Sequence, residues 1–509
     1  MSEQKYIRIK NFRNISLDKI PVLDYETAFL PLSNSILSDK SKYIFAYFGK
    51  KSNRESSNET ILTFMLIADD KEGDILLYSS LMNVGKTYHS VSKDNLCAEK
   101  FERELYENFG IKYNDHPWYK PVRYAHDRAD KNLLLKDYPY YQSESIHLHE
   151  VAVGPVHAGV IEPGSFRFIC NGEEILHLEI QLGYQHRGIE YLMLQNKKSS
   201  YRLALSEAIA GDTAIAHAYA YCANIESLTE TMVPENAKTI RLILLELERI
   251  ANHTGDIGNL CVGLAFQPVS SIMGKLRGTP LNMMMVISGD RFGKGNLTPG
   301  GIRYAIDETK KQKLHEMLKK FSDEFNSTSE LFMNSTYSIN RVENCGVVNA
   351  EKVLSCGFVG YAAKMSGIKR DVRQSHAFDD YKIMNFNTET VQGGDVKARI
   401  EIRILEVKQS IEIITKALNK LNTNDRNISL ALHPKVEPNQ LSVSLIEGFR
   451  GVICHVAITD EKGELAAYKI VDPSFHNWLA LALACRGVGI SDFPINNKSF
   501  NQSYCGHDL

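Results

Sequence analysis

Short alternating runs dominate the first 125 residues, and helical periodicity dominates the chain beyond residue 190. A strand is predicted over 43–48. β-rich runs over 59–68 and 74–79 flank Asp69 to Gly73, which reads as a hairpin turn. Phe101, Leu105 and Phe109 share one face of a helix predicted over 98–108, and Gly110 is its C-terminal stop. Residues 127–145 are charged and rich in Tyr, and read as a linker. Strand-like runs return over 165–170 and 175–180. The Ala-rich run 192–229 predicts one long helix, with Ser199, Ser206 and Thr213 among its apolar positions. Pro234 and Glu235 open another helix, where Ile240, Leu244, Leu247 and Ala251 recur at threes and fours, the buried stripe of a bundle helix. Helices are predicted over 308–332 and 396–421, and a hairpin over 451–471 with its turn at 461–463 closes the pattern. Periodicity alone thus supports long helices bracketed by β segments.

Composition narrows the class. A chain of 509 residues implies two or three domains. With 43% hydrophobic and 24% charged residues it is globular, and a net charge of −2 gives no reason to expect nucleic acid as a partner. No run approaches the ~18 apolar residues of a membrane span, and Met1 to Lys5 has no apolar signal core, so no secretion is inferred. Nine cysteines are scattered without a Cys-x-x-Cys pair, which fits reduced thiols in a cytoplasmic compartment and argues against a thiolate-rich metal site built by this chain alone.

The motif-bearing stretch runs from His149 to His217. It holds Gly154, Pro155 and His157, then Ala158 through Glu162, Pro163 and Gly164. Gln181, Gly183, His186, Arg187, Gly188 and Glu190 follow, and then Ala210, Gly211, Asp212, Thr213, Ala216 and His217. It resembles the large subunits of energy-converting, membrane-bound nickel–iron hydrogenases of the formate hydrogenlyase kind, and the D subunit of complex I (NADH-quinone oxidoreductase). Phe101 to Ile111, followed by His116 and Pro117, resembles the signature of the complex I C subunit. Formate-hydrogenlyase-type large subunits carry a C-like domain ahead of a D-like one, and the order here is the same. Later landmarks are Asn252, His253, Asp256 and Gly258; Ser288 to Phe292; Pro299 to Gly301; Gly360, Ser366, Gly367, Arg370, Asp371 and Arg373; and Asp472 with Pro473.

The resemblance implies an α+β fold class. A C-like α+β domain over 1–125 is followed by a linker over 126–146. A mainly helical hydrogenase-large-subunit-like domain with small flanking sheets covers 147–509. It also implies partners: an iron–sulfur small subunit like the B subunit of complex I, and membrane subunits like its H subunit and its antiporter-like members. The expected location is peripheral, on the cytoplasmic side of the inner membrane. The iron–sulfur cluster would sit in the small subunit, against His186 and Arg187, where a positive charge favours the reduced cluster. For Arg187 an ion pair with Glu190 is the alternative. No cofactor is expected on this chain alone. Quinone is the candidate ligand of the cavity, and NAD binding belongs to the NADH-quinone oxidoreductase reading.

The active site of the relatives is altered. Nickel–iron centres need two Cys-x-x-Cys pairs, because soft thiolates hold nickel and bridge it to iron. Anchored on Ala216 and His217, the first pair falls on Ala210 and Thr213; anchored on Asp472 and Pro473, the second falls on Ser474 and Asn477. No thiolate is present, so a nickel–iron centre is not expected. The two quinone-headgroup positions of complex I fall on Ile161 and Gly211, and neither matches. His157, Glu162, Asp212, His217 and His476 are the candidate cavity residues; Arg370, Asp371 and Arg373 join His186 and Arg187 as candidate cofactor contacts. For each, a satisfied buried polar group is the competing reading. Three readings follow: an electron-transfer subunit coupled to ion translocation, a non-catalytic scaffold, and an active hydrogenase that would require the ligand positions to lie elsewhere.

Overall fold

The computed structural model describes residues 5–51, 60–157, 161–433 and 436–509. The predicted strand start at Glu59 and the motif residues Ala158, Gly159 and Val160 lie outside the described residues. Helix and sheet mix throughout, as an α+β chain requires.

In the N-terminal part, strands Ile7–Ile9, Asp74–Asn83, Thr60–Asp69 and Tyr43–Lys51 lie side by side in that order. The pairing runs from Thr60 opposite Asn83 to Asp69 opposite Asp74, so the predicted hairpin turn is present. The helix Glu99–Phe109 ends on Gly110 at φ +77°, a left-handed position where a Cβ is costly. This part is not sealed off from the rest. Strand Arg13–Ser16 pairs with Gln440–Gly448, giving a second sheet ordered Leu465–Val471, Gly451–Thr459, Gln440–Gly448, Arg13–Ser16. Leu441, Val443, Val452 and Val456 share one apolar core with Phe45, Leu66 and Leu77. The linker residues also pack down: Tyr140 donates to Ser165 Oγ at 2.9 Å, and Tyr141 N–H to Glu179 at 2.8 Å.

The predicted strands at 165–170 and 175–180 appear as Ser165–Asn171 and Glu174–Gln181, with His149–Val153 on the outer edge. Around the long helix Glu235–Gly263 pack Gln267–Ser288 and Val396–Lys420, and Glu308–Met333 lies on the second of these four. Gln267–Ser288 was not predicted, because Gly274, Gly278 and Pro280 interrupt its pattern. The single helix expected over 192–229 is instead three: Ile189–Gln195, Ser199–Ser206 and Ala214–Leu228. Asn196 ends the first in an extended conformation. Between the second and third, the backbone leaves the helix so that Ala208 and Ile209 carbonyls can accept from Arg187.

The strand Gln440–Gly448 was also missed, and with it the tip of its hairpin. Gly448 pairs with Gly451, so Phe449 and Arg450 form a two-residue turn directed into the protein. Gly451 sits at φ +136° and Gly360 at φ +61°. A Cβ on Gly360 would lie 2.1 Å from the Arg450 carbonyl oxygen. Backbone meets backbone there, with no side chain able to yield. Gly360→Ala is therefore expected to cost at least about 3 kcal/mol, read as a lowered thermal midpoint or as loss of folded protein; an unchanged midpoint would contradict this packing.

Candidate functional site

The Phe449-Arg450 turn and the loop before Ala214–Leu228 meet in the interior. Arg450 grips Asp212 with two parallel bonds, Nη1 to Oδ1 at 2.8 Å and Nη2 to Oδ2 at 2.6 Å. Its Nε donates to the Asn501 carbonyl at 2.6 Å, and Nη1 lies 3.4 Å from Thr213 Oγ1. Burial would raise Asp212, but Arg450 outweighs it and holds the carboxyl below its ordinary range. Asn501 Nδ2 donates to Asp256 Oδ1 at 2.7 Å, while Arg403 Nε binds Oδ2 at 3.1 Å. Behind this layer Glu248 accepts the N–H groups of Ile215 and Ala216, the open end of the helix. Burial pushes Glu248 up to about 8.

His217, on that helix, is fully buried between two partners. Its Nε2 lies 3.1 Å from Asp472 Oδ2, and its Nδ1 lies 3.0 Å from His455 Nε2. His455 Nδ1 lies 2.9 Å from Tyr468 Oη. With both imidazoles neutral, one proton order satisfies every contact: Tyr468 donates to His455, His455 to His217, and His217 to the Asp472 carboxylate. Burial, then His217, pushes His455 well below the usual imidazole range. Burial would raise Asp472, but His217, Arg450 and the Ser474 N–H together outweigh it and keep the carboxyl low.

The four thiolate positions of the relatives are all buried here, and none is free to bind a soft metal. Ala210 has no donor atom. Thr213 donates to Asp212 at 3.1 Å. Ser474 Oγ accepts the Ser503 N–H at 2.9 Å, and the Asn477 amide both accepts from and donates to the Val359 backbone, at 3.0 and 3.1 Å. Cys505 borders the same region, with a backbone hydrogen bond to Gly211 and with Glu162 close by; burial and Glu162 push its thiol up to about 11. Among the described residues no group of three His, Cys, Asp or Glu is arranged to hold a metal ion. The residues present do not fit a nickel–iron centre.

The other candidates separate. Glu162 accepts the Tyr504 N–H at 3.2 Å, and so reaches the C-terminal helix Tyr504–Asp508. His157 Nε2 donates to the Gly164 carbonyl at 2.9 Å, within its own turn. His476 packs edge-on against Phe101 at 5.6 Å; burial, with Lys100 and Arg370 nearby, pushes it down to about 3. His186 Nδ1 donates to the Asp508 carbonyl at 2.8 Å. The Arg187 guanidinium holds the carbonyls of Ala208, Ile209 and Cys505 at 2.6, 2.7 and 3.1 Å. Glu190 accepts from Ile470 N–H and pairs with Lys469 at 3.1 Å, so the Arg187–Glu190 ion pair does not form. Arg370 donates to the Phe358 carbonyl at 2.7 Å and lies over the Tyr43 ring; Asp371 and Arg373 bind each other. These three contacts are internal to the fold. Sequence reasoning missed Arg450 and His455, and read Asp256 as a landmark of the resemblance without placing it in the site. The signal for Arg450 was available: Gly-Phe-Arg-Gly between two apolar runs is a tight turn with an arginine at its tip.

Residues 265–508 match the family model described as "Respiratory-chain NADH dehydrogenase, 49 Kd subunit". Formate hydrogenlyase subunit 5 of Escherichia coli is 27% identical over 354 residues, 70% of this chain and 62% of the relative. The membrane-bound hydrogenase subunit alpha of Pyrococcus furiosus is 27% identical over 360 residues, 68% of this chain and 84% of the relative. NADH-quinone oxidoreductase subunit 4 of Thermus thermophilus is 28% identical over 369 residues, 67% of this chain and 89% of the relative. The match to the formate hydrogenlyase subunit thus stops short of two thirds of its length.

Replacing Arg450 with Met removes the countercharge of Asp212 from the interior. The expected loss is about 3–5 kcal/mol of stability, larger in alkaline than in acid solution because an unpaired Asp212 must take up a proton to stay buried. Adding Asp212→Asn should return part of it, and a double-mutant cycle from thermal or denaturant melts measures the coupling. Strict additivity would rule out the pairing described.

Proposed function

We propose that this chain, a relative of the large subunits of membrane-bound hydrogenases, formate hydrogenlyase and complex I-like NADH-quinone oxidoreductases, is the peripheral large subunit of a membrane-associated oxidoreductase complex. It takes part in electron transfer coupled to ion translocation, without a nickel–iron centre. One observation carries the second half of this reading: the positions of the four metal thiolates hold Ala210, Thr213, Ser474 and Asn477, the polar three already hydrogen-bonded within the chain.

In this assembly an iron–sulfur small subunit docks near His186 and Arg187, and supplies the electron-carrying cluster. Arg187 is exposed although its guanidinium is fully engaged, so its charge is fixed in direction at the surface. Membrane subunits complete the complex; among the described residues no helix is long and apolar enough to cross a membrane. Residence on the cytoplasmic side of the inner membrane follows from the same reading. What the chain's own residues supply is polar and proton-bearing. Arg450 is a fixed cation beside Asp212, and Asp472, His217, His455 and Tyr468 form an ordered hydrogen-bond chain able to pass a proton. Quinone is the candidate acceptor, with the Arg450 region rather than Ile161 and Gly211 as the polar contact.

Elemental analysis of the purified complex, with a hydrogen-uptake assay, tests this directly. Iron at iron–sulfur levels, no nickel and no uptake are expected. Stoichiometric nickel with uptake would mean that the four positions are not the ligand positions and would return the hydrogenase reading. A quinone titration of the cluster signal then reports whether the cavity binds the acceptor.

A further inference from the structure

Three residues before Arg450 on the same hairpin, Glu447 enters a group of buried charges that the site above does not use. Lys364 Nζ lies 2.8 Å from Asp371 Oδ2, 2.8 Å from Glu406 Oε1 and 3.4 Å from Glu447 Oε1. Arg373 holds Asp371 through Nε and Nη2 at 3.0 and 2.7 Å, and reaches Glu246 Oε1 at 3.0 Å. Arg249 Nε donates to Glu246 Oε2 at 3.2 Å, and its Nη1 lies 3.5 Å from Glu406 Oε2. Its other bonds go to the carbonyls of Glu447 and Gly448, at 2.6 and 3.1 Å. His253 Nε2 lies 2.7 Å from Glu406 Oε2. These eight side chains are at most 2% exposed.

The charges do not balance. Four carboxylates, Glu246, Asp371, Glu406 and Glu447, face three permanent cations, Lys364, Arg249 and Arg373. Burial holds the His253 imidazole down to about 4, so it does not supply a fourth. An uncompensated charge in a water-free interior is expensive, and the group restores balance by keeping a proton. The carboxylates are unequally served. Glu246 receives Arg373, Arg249, Tyr381 and Ser410. Glu406 receives Lys364, His253 and Arg249. Asp371 receives Lys364, both arms of Arg373 and the Arg373 N–H. Glu447 has only the Val372 N–H at 3.0 Å and the most distant of the three lysine contacts.

We propose that this cluster is a proton-loading site, in which one exchangeable proton rests on the Glu447 carboxyl. Burial and the facing Asp371 push Glu447 up to about 7, which places the proton in exchange near neutrality. The segment carrying Asp371 borders a surface cleft of about 300 Å³ together with Asp70, Lys71, Lys369, Gln374 and Thr388. The Asp371 carboxyl itself is fully buried, and Arg373 and Lys364 outweigh that burial and hold it below its ordinary range. Loading adds one proton from solvent to the Glu447 carboxylate; Lys364 stays an ammonium, and the cluster as a whole gains one proton. The proposal stands apart from the electron-transfer reading, since it requires no redox partner. It would give that reading a chargeable group on the same hairpin as Arg450.

The test uses the full chain and Glu447→Gln. A carboxyl whose folded pKa lies above its unfolded value loses stability as pH rises from the unfolded to the folded value, and no more beyond it. The thermal midpoint of the native chain should therefore fall relative to that of Glu447→Gln between about pH 5 and about pH 8, by several degrees. A midpoint difference constant over that range overturns the proposal. Difference infrared spectroscopy gives an independent reading. Subtracting the Glu447→Gln spectrum from that of the native chain removes the bands of Glu248 and other carboxyls common to both, and the difference should show a protonated-carboxyl C=O band that titrates away near neutrality. A difference spectrum without that band assigns the proton to another group and also overturns the proposal. If Glu447→Gln fails to fold, Glu447→Asp serves instead, and the titrating band must then shift.

Discussion

The structure depends on compensating charge where water is excluded. Helices Glu235–Gly263 and Val396–Lys420, the segment 364–373 and strand Gln440–Gly448 come together around Lys364, Arg249 and Arg373 and the acids that face them. Each of these groups would be costly alone. Each is tolerable only while the others hold their places, so the polar interior fixes the register of four elements more strictly than apolar contact could. The Arg450–Asp212 pair repeats the principle one turn further along the hairpin. Such interiors are demanding about geometry.

Much of the outline was legible in the sequence because its signals are local. The 69–73 turn, the Gly110 stop and the helices at 235, 308 and 396 each depend on neighbours within a few residues, and each was read to within a few positions. What could not be read depends on partners far away. Gln440–Gly448 alternates polar and apolar residues from Gln440 to Leu445, a strand signal that went unread; what the sequence hides is that its serines are buried as well, bonded to Asn224 and to the Ala220 carbonyl on the helix Ala214–Leu228. The break at 207–213 exists because Arg187 and Arg450 need that loop, and neither demand is visible at the loop itself. The candidate site was legible in part. Asp212 and His217 were named from the sequence, and in the structure they meet Arg450 and Asp472 respectively. Glu162 reaches the edge of that region through Tyr504, whereas His157 stays in its own turn. Arg370, Asp371 and Arg373 were read as cofactor contacts, but their contacts in the chain are internal.

The four positions expected to match the relatives' thiolates are closely packed. Side chains of moderate size occupy those positions and close hydrogen bonds with the backbone around them: Ser474 with Ser503, and Asn477 with Val359. The surrounding framework of Asp472, His217 and Asp212 persists as a polar assembly with its own internal order. The donors at three of these positions are hydroxyl and amide groups already engaged in hydrogen bonds.

The strand Arg13–Ser16 ties this architecture to its own synthesis. Ser16 pairs with Gln440 and Arg13 with Val443, so this segment must wait for one synthesised much later in the chain before its backbone is satisfied. Until then the segment is an unpaired edge, open to unintended strand partners. The two regions cannot mature as separate beads on a string, and cutting the chain between them would leave the four-stranded sheet without its final member. The two regions are thus held together by hydrogen bonding as well as by the peptide link.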